Sequence, residues 1–210
     1  KCSIFCKRWE GIHGEVRPQA EDFAEIARVS HAHSVKNPYA QFRDVYTLNQ
    51  ILNSPMIHAP LTKLQCSLTS DGAAAAVPVS QKFLDARPYL KDPAILVAGP
   101  QLMTDSPELY SRSAMDLVGY DRTKRAAKAA MAEAGVTPKD IKVCGLHDCF
   151  SANDLILLDG LGFSELGKAH EMVRNGDITY GGKGLLSTRL VDSFQRAIRW
   201  EPQAWRSVSS

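Results

Sequence analysis

The stretch that most constrains what this chain can fold into is Ile141–Leu146 and the residues that follow it. An apolar run of that length, bounded by polar residues, reads as a buried strand. It stops at three reactive side chains in a row, His147, Asp148 and Cys149. Ser151 can then cap a helix that carries Leu155, Ile156, Leu157, Leu158 and Leu161 inward. Strand, polar turn, helix is the arrangement that presents functional groups at the carboxyl edge of an α/β sheet. A histidine and a cysteine two positions apart at such an edge can act as a proton-transfer pair, because both titrate near neutrality and shift easily. The competing reading makes Cys149 a small core residue and His147 a satisfied loop histidine.

Charge and cysteine content narrow the function classes. The 25 Lys and Arg residues nearly balance the 23 Asp and Glu, leaving a net charge of +2. Nothing in that balance draws the chain to nucleic acid or an anionic membrane. No apolar run is long enough to cross a bilayer as a helix, and the start lacks a charged-then-apolar secretory pattern. The five cysteines are odd in number and lack a zinc-type spacing of pairs, which fits reduced thiols inside a cell and no metal.

A helix is expected from Pro18, with Phe23, Ile26, Ala27 and Val29 on its apolar face, ending where Pro38 forces Asn37 to be extended. His31 and His33 would share a side on a strand and could ligate metal, but without a third ligand a solvated or hydrogen-bonded pair fits better. Thr47 can cap a short helix through Leu52. Leu61–Leu68 alternates as a strand does, and Ser80–Arg87 reads as a short helix. Pro93–Ala98 reads as a second buried strand. Tyr120–Ala134 is a helix that Asp121 can cap and Gly135 stops. Thr137–Asp140 then makes a capped turn into the strand at 141–146. This order predicts a right-handed crossover and a mainly parallel sheet, hence an α/β fold. A later helix carries Leu166, His170 and Val173, with His170 solvated, before a glycine turn at 179–183.

Several segments are familiar. His33-Ser34-Val35-Lys36-Asn37-Pro38-Tyr39, Thr69-Ser70-Asp71-Gly72 with the alanines after it, Gly119-Tyr120-Asp121, Leu146-His147-Asp148-Cys149-Phe150-Ser151-Ala152-Asn153 and Thr179-Tyr180-Gly181-Gly182-Lys183 stand in this order. From about Ala20 to Lys183 the chain resembles the sterol carrier protein x-type thiolases, whose His-Asp-Cys-Phe signature replaces the Asn-Glu-Ala-Phe of other thiolases. The resemblance implies a layered αβα thiolase fold, here incomplete. Residues 18–60 would be a remnant of the loop domain and 61–92 the end of the amino-terminal half-fold. Residues 93–183 would be most of the carboxyl-terminal domain, with 1–17 unmatched. It implies thiolytic cleavage of 3-oxoacyl-CoA in peroxisomes, with coenzyme A as co-substrate and no bound cofactor. Acyl-CoA would be the partner, alongside a second copy or an intact thiolase. His147 would help hold the thioester oxygen through water, and Cys149 would be the acid/base thiol.

The departures from that pattern are equally specific. The family's nucleophilic cysteine belongs to an amino-terminal half not matched here, and its Gly-His-Pro loop should follow Lys183. Read across codon boundaries, with the last base of one codon and two of the next, Arg196–Ala204 can encode Gly-His-Pro-Leu-Gly-Ala-Thr-Gly. Leu186–Asp192 can likewise encode Leu-Asn-Pro-Ser-Gly-Gly, and the opposite slip over Arg8–Arg17 permits a family-like run. Residues 184–210 are therefore expected to be a frame-shifted, poorly ordered tail. The chain alone is expected to be inactive, because acid/base groups without an acyl acceptor form no covalent intermediate. The alternatives are a non-catalytic acyl-CoA or lipid-binding module, or a docking partner of an intact thiolase.

Overall fold

The helix after the His-Asp-Cys turn is enclosed on nearly every side, and the other elements are arranged around it. The computed structural model describes residues 18–107, 114–147 and 149–180, and the backbone of 186–189. The expectations for 1–17 and for the glycine turn beyond Tyr180 lie outside those residues. So do those for the tail other than 186–189.

The first helix, α1 (Ala20–Ser34), buries Phe23, Ile26 and Val29, the spacing that the sequence shows. Asp22 secures its start by accepting the Gln19 backbone N–H at 2.6 Å. Short helix α2 (Leu48–Leu52) packs on α1 and is capped by Thr47, whose hydroxyl oxygen accepts the Gln50 N–H. Strands β1 (Met56–His58) and β2 (Leu61–Thr62) form a small antiparallel pair. The expected strand over 61–68 stops at Thr62, because a capping box turns Lys63–Gln65 into a 3-10 helix. There Gln65 Oε1 accepts the Thr62 N–H at 2.7 Å, closing the chain on itself.

Helix α3 (Gln81–Asp85) lies within the expected span Ser80–Arg87, and the Ser80 hydroxyl oxygen caps it by accepting the Phe83 N–H. Pro93 ends a turn, and 94–98 form no strand among the described residues; the side chains of 93–98 are exposed rather than buried. Helix α4 (Ala114–Leu117) leads into α5 (Tyr120–Ala134), which has the expected bounds. Its cap is Gly119 at φ 88°, not Asp121; the Asp121 carboxylate instead pairs with Arg125 one turn on. Gly135 at φ 68° ends the helix in the left-handed conformation that its lack of a Cβ permits.

Strand β3 (Val143–Leu146) leads into α6 (Ser151–Gly160), and α7 (Ala169–Arg174) follows. The strand is covered on one side only: Leu146 is buried and Cys144 half-buried, while Val143 and Gly145 face out. Its parallel neighbour is β4 (Leu186–Arg189), with Val143 opposite Leu186 and Leu146 opposite Arg189. The open edge of β3 offers backbone donors and acceptors that an extended segment satisfies.

Leu155 and Leu158 of α6 are fully buried against α1, α5 and α7. Side chains so placed each contribute about 1.5–3 kcal/mol of transfer free energy. Two buried carboxylates lock the surroundings. Asp22 takes Arg174 Nε and Nη2 at 2.7 Å each, tying α1 to α7. Asp159 accepts the Gly167 N–H at 2.6 Å, the Ala169 N–H at 3.1 Å and the Ser164 hydroxyl. It thereby shapes the 161–168 loop and satisfies donors at the start of α7. His170, expected to be solvated, is 1% exposed, because it lies on the face of α7 that also buries Ala169 and Val173.

Candidate functional site

Leu146 anchors the end of β3 in the core, so the chain must leave the sheet at His147. His147 is exposed, and its carbonyl accepts the Asn153 side-chain amide at 2.6 Å, folding the turn back on the first turn of α6. Cys149 is half-buried, and its carbonyl accepts the Ser67 N–H at 3.0 Å. Phe150 pairs antiparallel with Cys66 as an isolated bridge. Residues directly opposite in such a pair share a face, so Phe150 lies beside Cys66 and Cys149 beside Ser67. Cys66 and Cys149 are consequently on opposite faces and carry thiols.

Ser151 is not the helix cap. That position is taken by Phe150, extended at φ −150°, and the buried Ser151 hydroxyl donates to the Gln65 carbonyl at 3.3 Å. The 65–67 segment therefore holds both sides of the turn, the Cys149 carbonyl and the Ser151 hydroxyl. The result is a rigid seat for His147 and Cys149 at the amino end of a ten-residue buried helix. The positive end of that helix favours negative charge developing on a group held in front of it. The expected neighbours His147 and Cys149 are thus set on one turn, while Asp148 lies outside the described residues.

The third thiol nearby is chemically different. Burial pushes the Cys144 thiol up to about 11 from its ordinary 9.0, and the Asp154 carboxylate adds to the shift. At neutral pH Cys144 is protonated and a poor nucleophile.

His31 and His33 lie on a helix rather than a strand, so they diverge. His31 Nε2 is 3.2 Å from the Leu64 carbonyl, and its ring meets the edge of Tyr46. The His33 ring lies 4.1 Å from the Tyr180 ring, and its Nε2 accepts the Tyr180 N–H at 3.4 Å. Lys36 stands 4.3 Å over the other partner of that pair, Tyr180. Among the described residues no three His, Cys, Asp or Glu side chains are grouped to hold a metal. Nor is any described helix long and apolar enough to cross a membrane.

The comparisons with known proteins fall on this turn. Residues 105–188 match the thiolase C-terminal domain-like family. That segment contains β3, the turn, α6 and α7. The chain is 42% identical over 168 residues to the non-specific lipid-transfer protein-like 2 of Caenorhabditis elegans, covering 80% of this chain and 41% of that protein. It is 44% identical over 168 residues to sterol carrier protein 2 of Gallus gallus, covering 80% and 30%. With the benzoylsuccinyl-CoA thiolase subunit BbsB of Thauera aromatica it shares 33% identity over 175 residues, covering 83% and 44%. The chain thus spans less than half the length of these relatives. Among solved structures, an Ltp2-ChsH2(DUF35) aldolase matches with a TM-score of 0.67 and 28% identity, over 89% of this chain and 48% of that one. The α/β architecture is thiolase-like, and the chain is similar to thiolase-superfamily proteins of the sterol carrier protein 2 type.

Sequence reasoning located the turn but not what holds it. The Gln65 and Ser67 backbone groups and the Asn153 amide leave no pattern along the chain, because their partners are 86, 82 and six residues away. Thr62-Lys63-Leu64-Gln65 does have the form of a capping box, and that signal could have placed the break before Cys66.

Proposed function

We propose that this chain carries the acid/base part of a thiolase-type acyl-CoA site, of the sterol carrier protein x kind. The family reaction is thiolytic cleavage of a 3-oxoacyl-CoA to acetyl- or propionyl-CoA and a shortened acyl-CoA, in peroxisomal lipid or sterol side-chain oxidation. The observation that supports this reading is the clamped turn, with an exposed His147 and a half-buried Cys149 at the amino end of a buried helix. In that reaction a nucleophilic cysteine takes the acyl group and the carbon–carbon bond breaks. The Cys149 thiol would protonate the α-carbon of the departing thioester enolate and would later accept a proton from the incoming CoA thiol. His147, holding a water against the thioester oxygen, would stabilise the enolate charge. A buried Cys144 held near 11 is a poor candidate for the nucleophile, and neither Cys66 nor Cys149 stands in the family's nucleophile motif.

We therefore expect the chain by itself to bind acyl-CoA without completing thiolysis. Titrating the purified chain with a 3-oxoacyl-CoA tests this, with saturable binding weakened in a His147→Ala variant as the expected result. No binding would overturn it. The lipid-transfer relatives favour a second reading, a non-catalytic lipid-binding module. Binding of free fatty acid as tight as that of its CoA ester would favour that reading.

A further inference from the structure

A helix start is short of acceptors, because its first backbone N–H groups have no partner within the helix. The first turn of α6 therefore favours a carboxylate or another accepting oxygen. Asn153, three residues beyond the Phe150 cap, does the opposite. Its side-chain amide nitrogen donates to the His147 carbonyl at 2.6 Å, while its own backbone N–H donates to the Phe150 carbonyl at 2.8 Å. Only the nitrogen end of the amide can face a carbonyl oxygen so closely, so the direction of the bond is fixed. Asn153 is 7% exposed, and among the described residues its side chain makes no other hydrogen bond. A buried donor placed where acceptors are wanted serves the turn and not the helix.

His147 depends on that bond. Its imidazole is exposed and makes no hydrogen bond or ion pair among the described residues, so the side chain takes its direction from its own backbone. On one side that backbone is fixed by Leu146, buried in the core at the end of β3. On the other, the first fixed point is the His147 carbonyl that Asn153 holds. The next tie, from the Ser67 N–H to the Cys149 carbonyl, comes two residues later. Asn153 is itself immobile, being set in the first turn of a buried helix. Groups at a working site must be held to within about 0.5 Å by residues that are fixed in this way. We infer that Asn153 is a positioning residue for His147, holding its backbone so that the imidazole meets the thioester oxygen of an acyl-CoA in one orientation. The ligand in this inference rests on the acyl-CoA reading above; the inference adds the residue that gives an exposed histidine a direction.

The test compares the purified chain with Asn153→Asp and Asn153→Ala. The aspartate keeps the size and suits the helix start, but when ionised it cannot donate to a carbonyl. The alanine removes the donor without adding charge. Both variants should bind a 3-oxoacyl-CoA about tenfold or more weakly than the parent, as loss of preorganisation does. By NMR relaxation the His147 backbone order parameter should fall from about 0.85 to below about 0.6. Hydrogen exchange of the Ser67 amide and of residues 155–158 should keep the parent's protection, which separates a loosened turn from an unfolded helix. Val173→Ala, a core truncation in α7, lowers stability from outside the turn, and should leave affinity within about twofold and His147 as ordered as in the parent. A purely structural Asn153 would behave as Val173 does. Parent-like affinity in either variant would overturn the inference, as would affinity lost together with protection throughout α6. A parent that binds no acyl-CoA, with His147 still released in both variants, would overturn the acyl-CoA reading and leave the positioning role of Asn153 supported. Variants in which His147 stays ordered would overturn the positioning role whatever the parent binds.

Discussion

Raising the pH from 9 to 11 should destabilise this protein through one thiol. Cys144 has an ordinary thiol value of 9.0 when unfolded and about 11 when folded, because burial and then the Asp154 carboxylate disfavour its thiolate. The folded state thus holds the proton more tightly than the unfolded chain does. Its contribution to stability is complete below pH 9 and is lost as the pH climbs through 11. Two units at about 1.4 kcal/mol each make that loss about 2–3 kcal/mol. Urea unfolding at half-unit intervals from pH 8 to 11 measures the slope, and Cys144→Ala serves as the reference. Tyrosines and lysines titrate in both proteins, so the difference between the two slopes isolates Cys144. The variant should be less stable than the parent at pH 8 and should close on it by about 2–3 kcal/mol by pH 11. Parallel curves would refute the assignment of a buried, proton-holding thiol. Alkylation gives a second reading, because Cys144 should react about tenfold faster per pH unit up to 11.

Other perturbations follow from the same framework. Asp159→Ala removes the acceptor of two buried backbone donors and one hydroxyl, and should cost about 3–5 kcal/mol in urea unfolding. A loss below about 1 kcal/mol would mean that the 161–168 loop is held by something else. Asp22→Ala breaks both the α1 start and the tie to Arg174, and should cost about 2–3 kcal/mol, with faster hydrogen exchange in α7 than in α5. Gly135→Ala introduces a Cβ that meets nothing within 4 Å, so its cost of about 1–2 kcal/mol should be backbone strain alone and smaller in Gly135→Asn. Genomic and transcript reads across residues 8–17 and 184–210 should show a one-base slip at each, and a spliced transcript in the present frame would contradict that expectation.

Local signals carried far in this sequence. The alanine-rich pattern and Gly135 define α5 to the residue, and Thr47 and Ser80 mark helix starts because a side-chain oxygen three residues before a backbone N–H acts locally. The signals failed where a distant partner decides. Ser151 is an apt cap residue, yet its hydroxyl is drawn to Gln65, 86 positions away. His170 has charged neighbours along the chain, but the helix turns it inward with Val173. At 94–98 the local reading of an apolar strand was sound in chemistry and wrong in environment, since the cover that such a run requires is not among the described residues. The site followed the same division. The strand-to-helix turn that bears His147 and Cys149 was legible, and the clamp from 65–67 was not.

The central claim is that the clamped His147–Cys149 turn is an acyl-CoA acid/base site that does not complete thiolysis alone. Its most direct test pairs 3-oxoacyl-CoA binding with CoA-dependent thiolysis, for the purified chain and for Cys149→Ser. The account predicts saturable binding by both proteins and turnover by neither. Turnover by the parent that vanishes in Cys149→Ser would contradict it, because this thiol would then be doing the nucleophile's work.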